Sequence, residues 1–123
     1  MTTLINEMDD IRKTANLYYE GLQHGNIELL KKAFHPKAMM YGPGMIIEIQ
    51  GLYDYVSANP SPEKSGERHH CLITKIDCLG NAASVEMLQE NYLGVSYINY
   101  FQLLKIEGDW VIVSKSFEIL NKK

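Results

Sequence analysis

Asn99-Tyr100-Phe101-Gln102-Leu103-Leu104-Lys105-Ile106 runs into Glu107-Gly108-Asp109 and out again through Trp110-Val111-Ile112-Val113. Two apolar, aromatic and β-branched runs flank a short glycine turn, the signature of an antiparallel hairpin. Gly80-Asn81 and Gly94 repeat the turn signal upstream. The pattern predicts a four-strand meander over approximately 68–79, 83–93, 95–106 and 110–119.

The period changes towards the N-terminus. Leu4, Met8, Ile11, Ala15, Tyr18 and Leu22 step by three or four, one apolar stripe at helical spacing. Thr2 or Thr3 is placed to cap its start. Gly25 suits a left-handed C-terminal cap and Asn26 the next N-cap. A second short helix is predicted over 27–34, with Ile27, Leu30 and Phe34 inward and Pro36 as its stop. These two helices form a hairpin. Ala38–Tyr41 and Met45–Ile49 read as short strands about a Gly42-Pro43-Gly44 turn, followed by one or two helical turns around Leu52, Tyr55 and Val56. Residues 59–66, rich in turn formers, read as a loop. Helices must then cover one face of a curved, mainly antiparallel sheet, an α+β domain over 1–123.

Composition agrees with one ordinary globular domain: 123 residues, 46% hydrophobic and 22% charged. The formal charge is −3 and the basic residues are scattered, which argues against nucleic acid and anionic membranes as partners. No apolar run approaches the roughly 20 residues of a membrane span. Met1–Glu7 has no basic start and no apolar core, so no signal peptide is expected. Cys71 and Cys78 lie seven residues apart in one predicted strand. At about 3.3 Å per residue they are roughly 23 Å apart, beyond disulfide reach. Odd spacing puts them on opposite faces. Reduced thiols point to a cytoplasmic location, and no His or Cys cluster suggests a metal.

Several stretches resemble the nuclear transport factor 2-like superfamily, whose members are cone-shaped, cystatin-like α+β domains. Tyr18–Asn26 is similar to the end of the first helix, and Phe34-His35-Pro36-Lys37-Ala38 to the entry of the first strand. Gly80–Ala83 and Lys105–Val113 are similar to the two later hairpins. Asn99–Lys105 together with the last hairpin most resembles the subgroup labelled putative lumazine-binding. The resemblance implies a pocket inside the cone. It also implies three kinds of function. The first is binding of a small organic molecule. The second is cofactor-free isomerase, dehydratase or cyclase chemistry by proton transfer on a ring-containing substrate. The third is protein interaction without a ligand. Fold alone does not choose among them.

Ketosteroid isomerase, in the same superfamily, uses a helix tyrosine and a strand aspartate as hydrogen-bond donors and a carboxylate as base. The resemblance places the donors at Tyr18 and Asn99, and the base at Gly42, which has no side chain. Neutral donors still stabilise developing negative charge. Tyr18 also lies on the apolar stripe, so a core role accounts for it equally.

Strand parity from Asn99 points Tyr97, Phe101 and Leu103 inward. On the last strand the match points Val111, Val113, Lys115 and Phe117 inward. Met40 and Tyr55 complete the candidate ligand contacts. Lys115 has two readings: a desolvated amine in the pocket, or a lysine near the strand end whose ammonium reaches water, the commoner arrangement. On the 83–93 strand, hydrophobic alternation points Ala83, Val85 and Met87 inward and leaves Glu86 and Glu90 outside. A gapless match to the isomerase reverses this and makes Glu86 the replacement base. His69 and His70 open the first long strand, so one faces inward. Strand histidines serve as acid–base groups in scytalone dehydratase-like members. His24, at a helix end, and His35, in the turn, read as structural. Tyr100, Gln102, Leu104, Trp110 and Ile112 are expected on the outer sheet face, too apolar for plain solvent exposure. That face is the expected homodimer interface, with Trp110 at its centre.

Overall fold

The computed structural model describes residues 3–122, with side chains described for 3–120. Helix α1 (Leu4–His24) starts where Thr3 Oγ1 accepts from the Asn6 amide at 3.1 Å. It ends at Gly25, whose φ of 64° is the left-handed cap. The expected stripe is buried from Ile11 onward, whereas Leu4 at the open end is exposed. Asn26 Oδ1 accepts from the Leu29 amide and starts α2 (Ile27–Ala33). The two helices meet at Gly21, where a Cβ would lie 2.6 Å from the Leu30 side chain. Phe34 does not end α2 but opens β1 (Phe34–Gly42), and Pro36 lies inside that strand. β2 (Met45–Glu48) leads into α3 (Ile49–Ala58), and residues expected as loop carry a single turn, α4 (Pro62–Ser65), between Ser61 and Gly66 caps.

The meander follows as β3 (His70–Leu79), β4 (Ala82–Tyr92), β5 (Val95–Ile106) and β6 (Asp109–Lys122). The sheet order is β2-β1-β6-β5-β4-β3, antiparallel throughout except for β1 beside β6. The core lies between its inner face and the helices.

Of the register shifts in the sheet, two bear on the expected side-chain parity. On β6, Ile112 pairs with Leu103 and Ser114 with Gln102, leaving Val113 as an extra residue. Before the bulge Trp110 and Ile112 point inward and are buried; after it Lys115 does so. Trp110 and Ile112 are therefore not on the outer face, and the expected dimer contact loses both. The Trp110 carbonyl instead accepts from Thr14 on α1, and its indole N–H donates to Glu7. On β3, Thr74 is the extra residue between Ile73 and Lys75. It brings Cys71 and Cys78 to the same inner side, against the core, rather than to opposite faces. Both thiols are free. Among the described residues, no helix is long and apolar enough to cross a membrane.

Candidate functional site

A cavity of about 350 Å³ opens at the wide end of the sheet, past the β6 bulge. α1 contributes Tyr18 and Leu22; β1, β2 and their turn contribute Met40, Pro43, Met45 and Ile47. α3 adds Leu52 and Tyr55. Tyr92, Tyr97, Phe117 and Ile119 close the sheet side, with Lys115 between them. Tyr97 and Phe117 meet edge to face, their centroids 5.6 Å apart. The walls are aliphatic, thioether and aromatic, and Lys115 is the only ammonium-bearing side chain among the described lining residues.

Lys115 is 6% exposed. Its Nζ donates to Tyr18 Oη at 2.9 Å and lies 4.8 Å from the Tyr18 ring centroid and 4.9 Å from that of Phe117. Among the described residues none of the ion pairs includes Lys115. Burial disfavours its charged form and brings the amine down to about 7. Cys71, the nearby group that would favour the charge, is itself pushed up to about 12 by burial and stays a thiol at neutral pH.

Behind Lys115 the polar contacts continue into the core. Tyr18 Oη donates to Gln89 Oε1 at 2.8 Å, and Asn99 Nδ2 donates to the same oxygen at 2.8 Å. Gln89 Nε2 donates to His69 Nε2 at 3.1 Å. His69 Nδ1 then carries the proton and donates to Gln23 Oε1 at 3.1 Å. Burial holds His69 down to about 4, so the ring is neutral at pH 7 and can accept from Gln89. His69 is stacked on Tyr19, with centroids 5.0 Å apart. Asn99 Oδ1 is buried without a protein partner. Burial also holds the Tyr18 hydroxyl well above its ordinary value, so it stays protonated.

The candidates from the sequence separate into three groups. Tyr18, Met40, Tyr55, Tyr97, Lys115 and Phe117 lie on the cavity wall. Lys115 is buried there rather than reaching water, because β6 continues seven residues beyond it to Lys122. Asn99, Phe101 and His69 are buried one layer back; Phe101 supports the Tyr18 ring edge to face at 5.1 Å. Val113, His70 and Glu86 lie off the cavity. Val113 is the bulge residue and His70 is exposed. Glu86 is on the outer face, where Thr74 Oγ1 donates to its carboxylate at 2.8 Å, so the hydrophobic parity of β4 holds. Gly42 leaves no room for a base: a Cβ there would lie 2.3 Å from Phe117 Cζ.

Gln89 escaped the sequence reading, although it continues the inward series Ala83, Val85, Met87 by two residues. Tyr92, Leu22, Ile47 and Ile119 were also missed. Tyr92 and Ile119 follow bulges or irregular pairing, where parity gives no guide.

Residues 6–118 match the protein family described as Putative lumazine-binding. The chain is 29% identical over 115 residues to a protein named Aldolase FrzH from a Cladobotryum species, with 90% of each chain covered. A solved NTF2-like protein of unknown function from Shewanella baltica OS155 superposes with a TM-score of 0.89 at 29% identity, covering 99% of this chain and 100% of that one. Another, from Methylobacillus flagellatus KT, gives 0.87 at 27% identity, covering 98% and 97%. A ketosteroid isomerase-like protein from Erwinia carotovora atroseptica shares the fold with a TM-score of 0.71 at 14% identity, covering 94% and 97%. These likenesses bear out the nuclear transport factor 2-like resemblance.

Proposed function

We propose, since this chain belongs to the Putative lumazine-binding family, that its cavity binds a small, ring-containing organic molecule. The observation that carries this reading is a largely apolar, aromatic-walled space of about 350 Å³ with the hydrogen-bonded Lys115–Tyr18 pair on its wall. Small-molecule sites have this composition, with volumes of roughly 300–1,000 Å³. The polar pair orients a ligand that carries a carbonyl or hydroxyl oxygen, while the walls select for a flat apolar body.

The test is fluorescence titration with 2-naphthol, a neutral ring probe. Saturable one-to-one binding is expected, lost in Ile47→Trp, where the larger ring fills the space. Absence of saturable binding by the natural chain overturns the reading.

A second reading is catalysis on a carbonyl compound. It is favoured by the Lys115–Tyr18 pair and by the 29% identity to a protein named an aldolase. Proton abstraction in the manner of the isomerase has less support, because Phe117 covers Gly42 and His69 is separated from the cavity by Gln89. We propose further that the chain is a homodimer through the outer sheet face. Leu72, Leu88 and Ile98 form one cross-strand row there, and Ala82, Leu104 and Val111 another. Leu72, Tyr100 and Leu104 are exposed. Light scattering should give twice 14.0 kDa, falling to that mass in Tyr100→Glu.

A further inference from the structure

We propose that Lys115 captures a ketone or aldehyde covalently, its Nζ forming an imine with the carbonyl carbon of a ligand held in the cavity. This rests on the reading that the cavity takes a ring-containing molecule. Three independent features of the geometry point to it. Lys115 is a wall residue of the cavity although it is only 6% exposed, and its Nζ lies beside Tyr18 and Phe117, two other wall residues. Among the described residues no carboxylate pairs with it, unlike the usual buried lysine. Its hydrogen-bond partner is Tyr18 Oη, a hydroxyl that stays protonated and so can only relay, accepting one proton as it passes on its own; with the amine neutral, that contact uses an N–H and leaves the lone pair available. Burial also brings the amine to about 7, so a large fraction is unprotonated at neutral pH, as a nucleophilic amine requires.

The step balances in atoms and charge. The Nζ lone pair forms the C–N bond as the C=O π bond breaks. One proton leaves nitrogen for the new alkoxide oxygen by way of the Tyr18 hydroxyl, giving a carbinolamine. The hydroxyl oxygen then takes one proton from solvent and leaves as water as the nitrogen lone pair forms the C=N bond, and the iminium nitrogen returns one proton to solvent, giving the imine with no net proton consumed. No oxidant, reductant or metal takes part. Tyr18 is held in place for this by Gln89 Oε1 and by the Phe101 and Phe34 rings.

The experiment incubates the full chain with 2-naphthaldehyde near pH 7, reduces with cyanoborohydride and maps the peptides by mass. One modification is expected, at Lys115, with the mass of the aldehyde less one oxygen. It disappears in Lys115→Arg, and Tyr18→Phe slows it at least tenfold. 2,4-Pentanedione gives a readout without reduction, the near-ultraviolet band of its vinylogous amide. Binding of 2-naphthol, which has no carbonyl, is measured on the same preparations. Naphthol binding without modification of Lys115, or label spread over exposed lysines such as Lys75, overturns the imine and leaves the cavity reading standing. The 2,4-pentanedione band at Lys115 with neither naphthaldehyde labelling nor naphthol binding supports the imine and overturns the ring-ligand reading. Failure of all three measurements overturns both.

Discussion

The two ends of β6 use the same residue types to opposite effect. Before the Val113 bulge, Trp110 and Ile112 fill the space beneath α1, and the nearby ammonium, Lys105, is neutralised by Glu7 at 2.8 Å. Glu7 also accepts from the Trp110 indole, so one carboxylate satisfies two donors. After the bulge, Phe117 and Ile119 stop short of filling the space, and Lys115 has a phenol where Lys105 has a carboxylate. The first end is built to close the fold. The second leaves a cavity and an unneutralised amine, an arrangement that lowers stability and is retained where a site needs it. The lysine itself does not mark a site; the missing counter-charge and the missing packing around it do.

The strongest way to break this comparison is Lys115→Met. An amine brought from 10.5 to about 7 by burial binds its proton more weakly in the folded chain than in the unfolded one. The unfolded state is therefore favoured below the unfolded value, and the penalty disappears as pH rises through 10.5. The Met variant should be more stable than the natural chain by about 4 kcal/mol at pH 7, shrinking to about 1 kcal/mol at pH 10. Urea denaturation at both pH values measures this. Equal stability of the two chains at pH 7 would show that Lys115 is not desolvated.

Gln89→Leu sharpens the same contrast from behind the cavity wall. The change removes the acceptor shared by Tyr18 and Asn99 and the donor to His69, all in a buried setting. Leaving such groups unpaired costs about 3 kcal/mol in total, read as a fall in the denaturation midpoint. 2-Naphthol affinity should weaken with it, because Tyr18 loses the contact that fixes its hydroxyl. A variant as stable as the natural chain would mean the polar chain from Lys115 to His69 does not act as a unit.

The element order, the helix caps and the inward parity of β4 and β5 were legible because composition states them directly: a stripe at period 3.6, glycine turns, alternating apolar residues. What failed was parity across bulges. Thr74 and Val113 are ordinary strand residues, and nothing in their identity announces an extra residue. A single inserted position reverses the parity of the side chains before it relative to those after it, so Trp110 and Ile112 share the inner face with Lys115 and Cys78 lies on the same side as Cys71. Six candidate ligand contacts lie on the wall, among them Lys115 and Phe117, which the family resemblance placed inward and which lie beyond the Val113 bulge. Gln89 continues the same alternation, although glutamine in an inward position breaks the apolar pattern that marks a core face.

The smallest expected effect tests the closed end of β6. Glu7→Gln keeps an oxygen for the Trp110 indole N–H but removes the negative charge beside Lys105, whose side chain is 21% exposed against 15% for Glu7. Water still reaches the Lys105 ammonium, so losing its partner costs only about 1 kcal/mol. The loss should shrink in high salt, since added ions screen the pair in the natural chain. Denaturation of both chains at low and high salt gives the difference. The two charge edits, one at each end of β6, should then have opposite signs: neutralising the partner of Lys105 destabilises slightly, whereas removing the amine of Lys115 stabilises strongly. If Glu7→Gln proved as costly as Gln89→Leu, the closed end would be as dependent on a buried charge as the open end. The distinction between a finished core and a buried, unneutralised amine would then no longer hold.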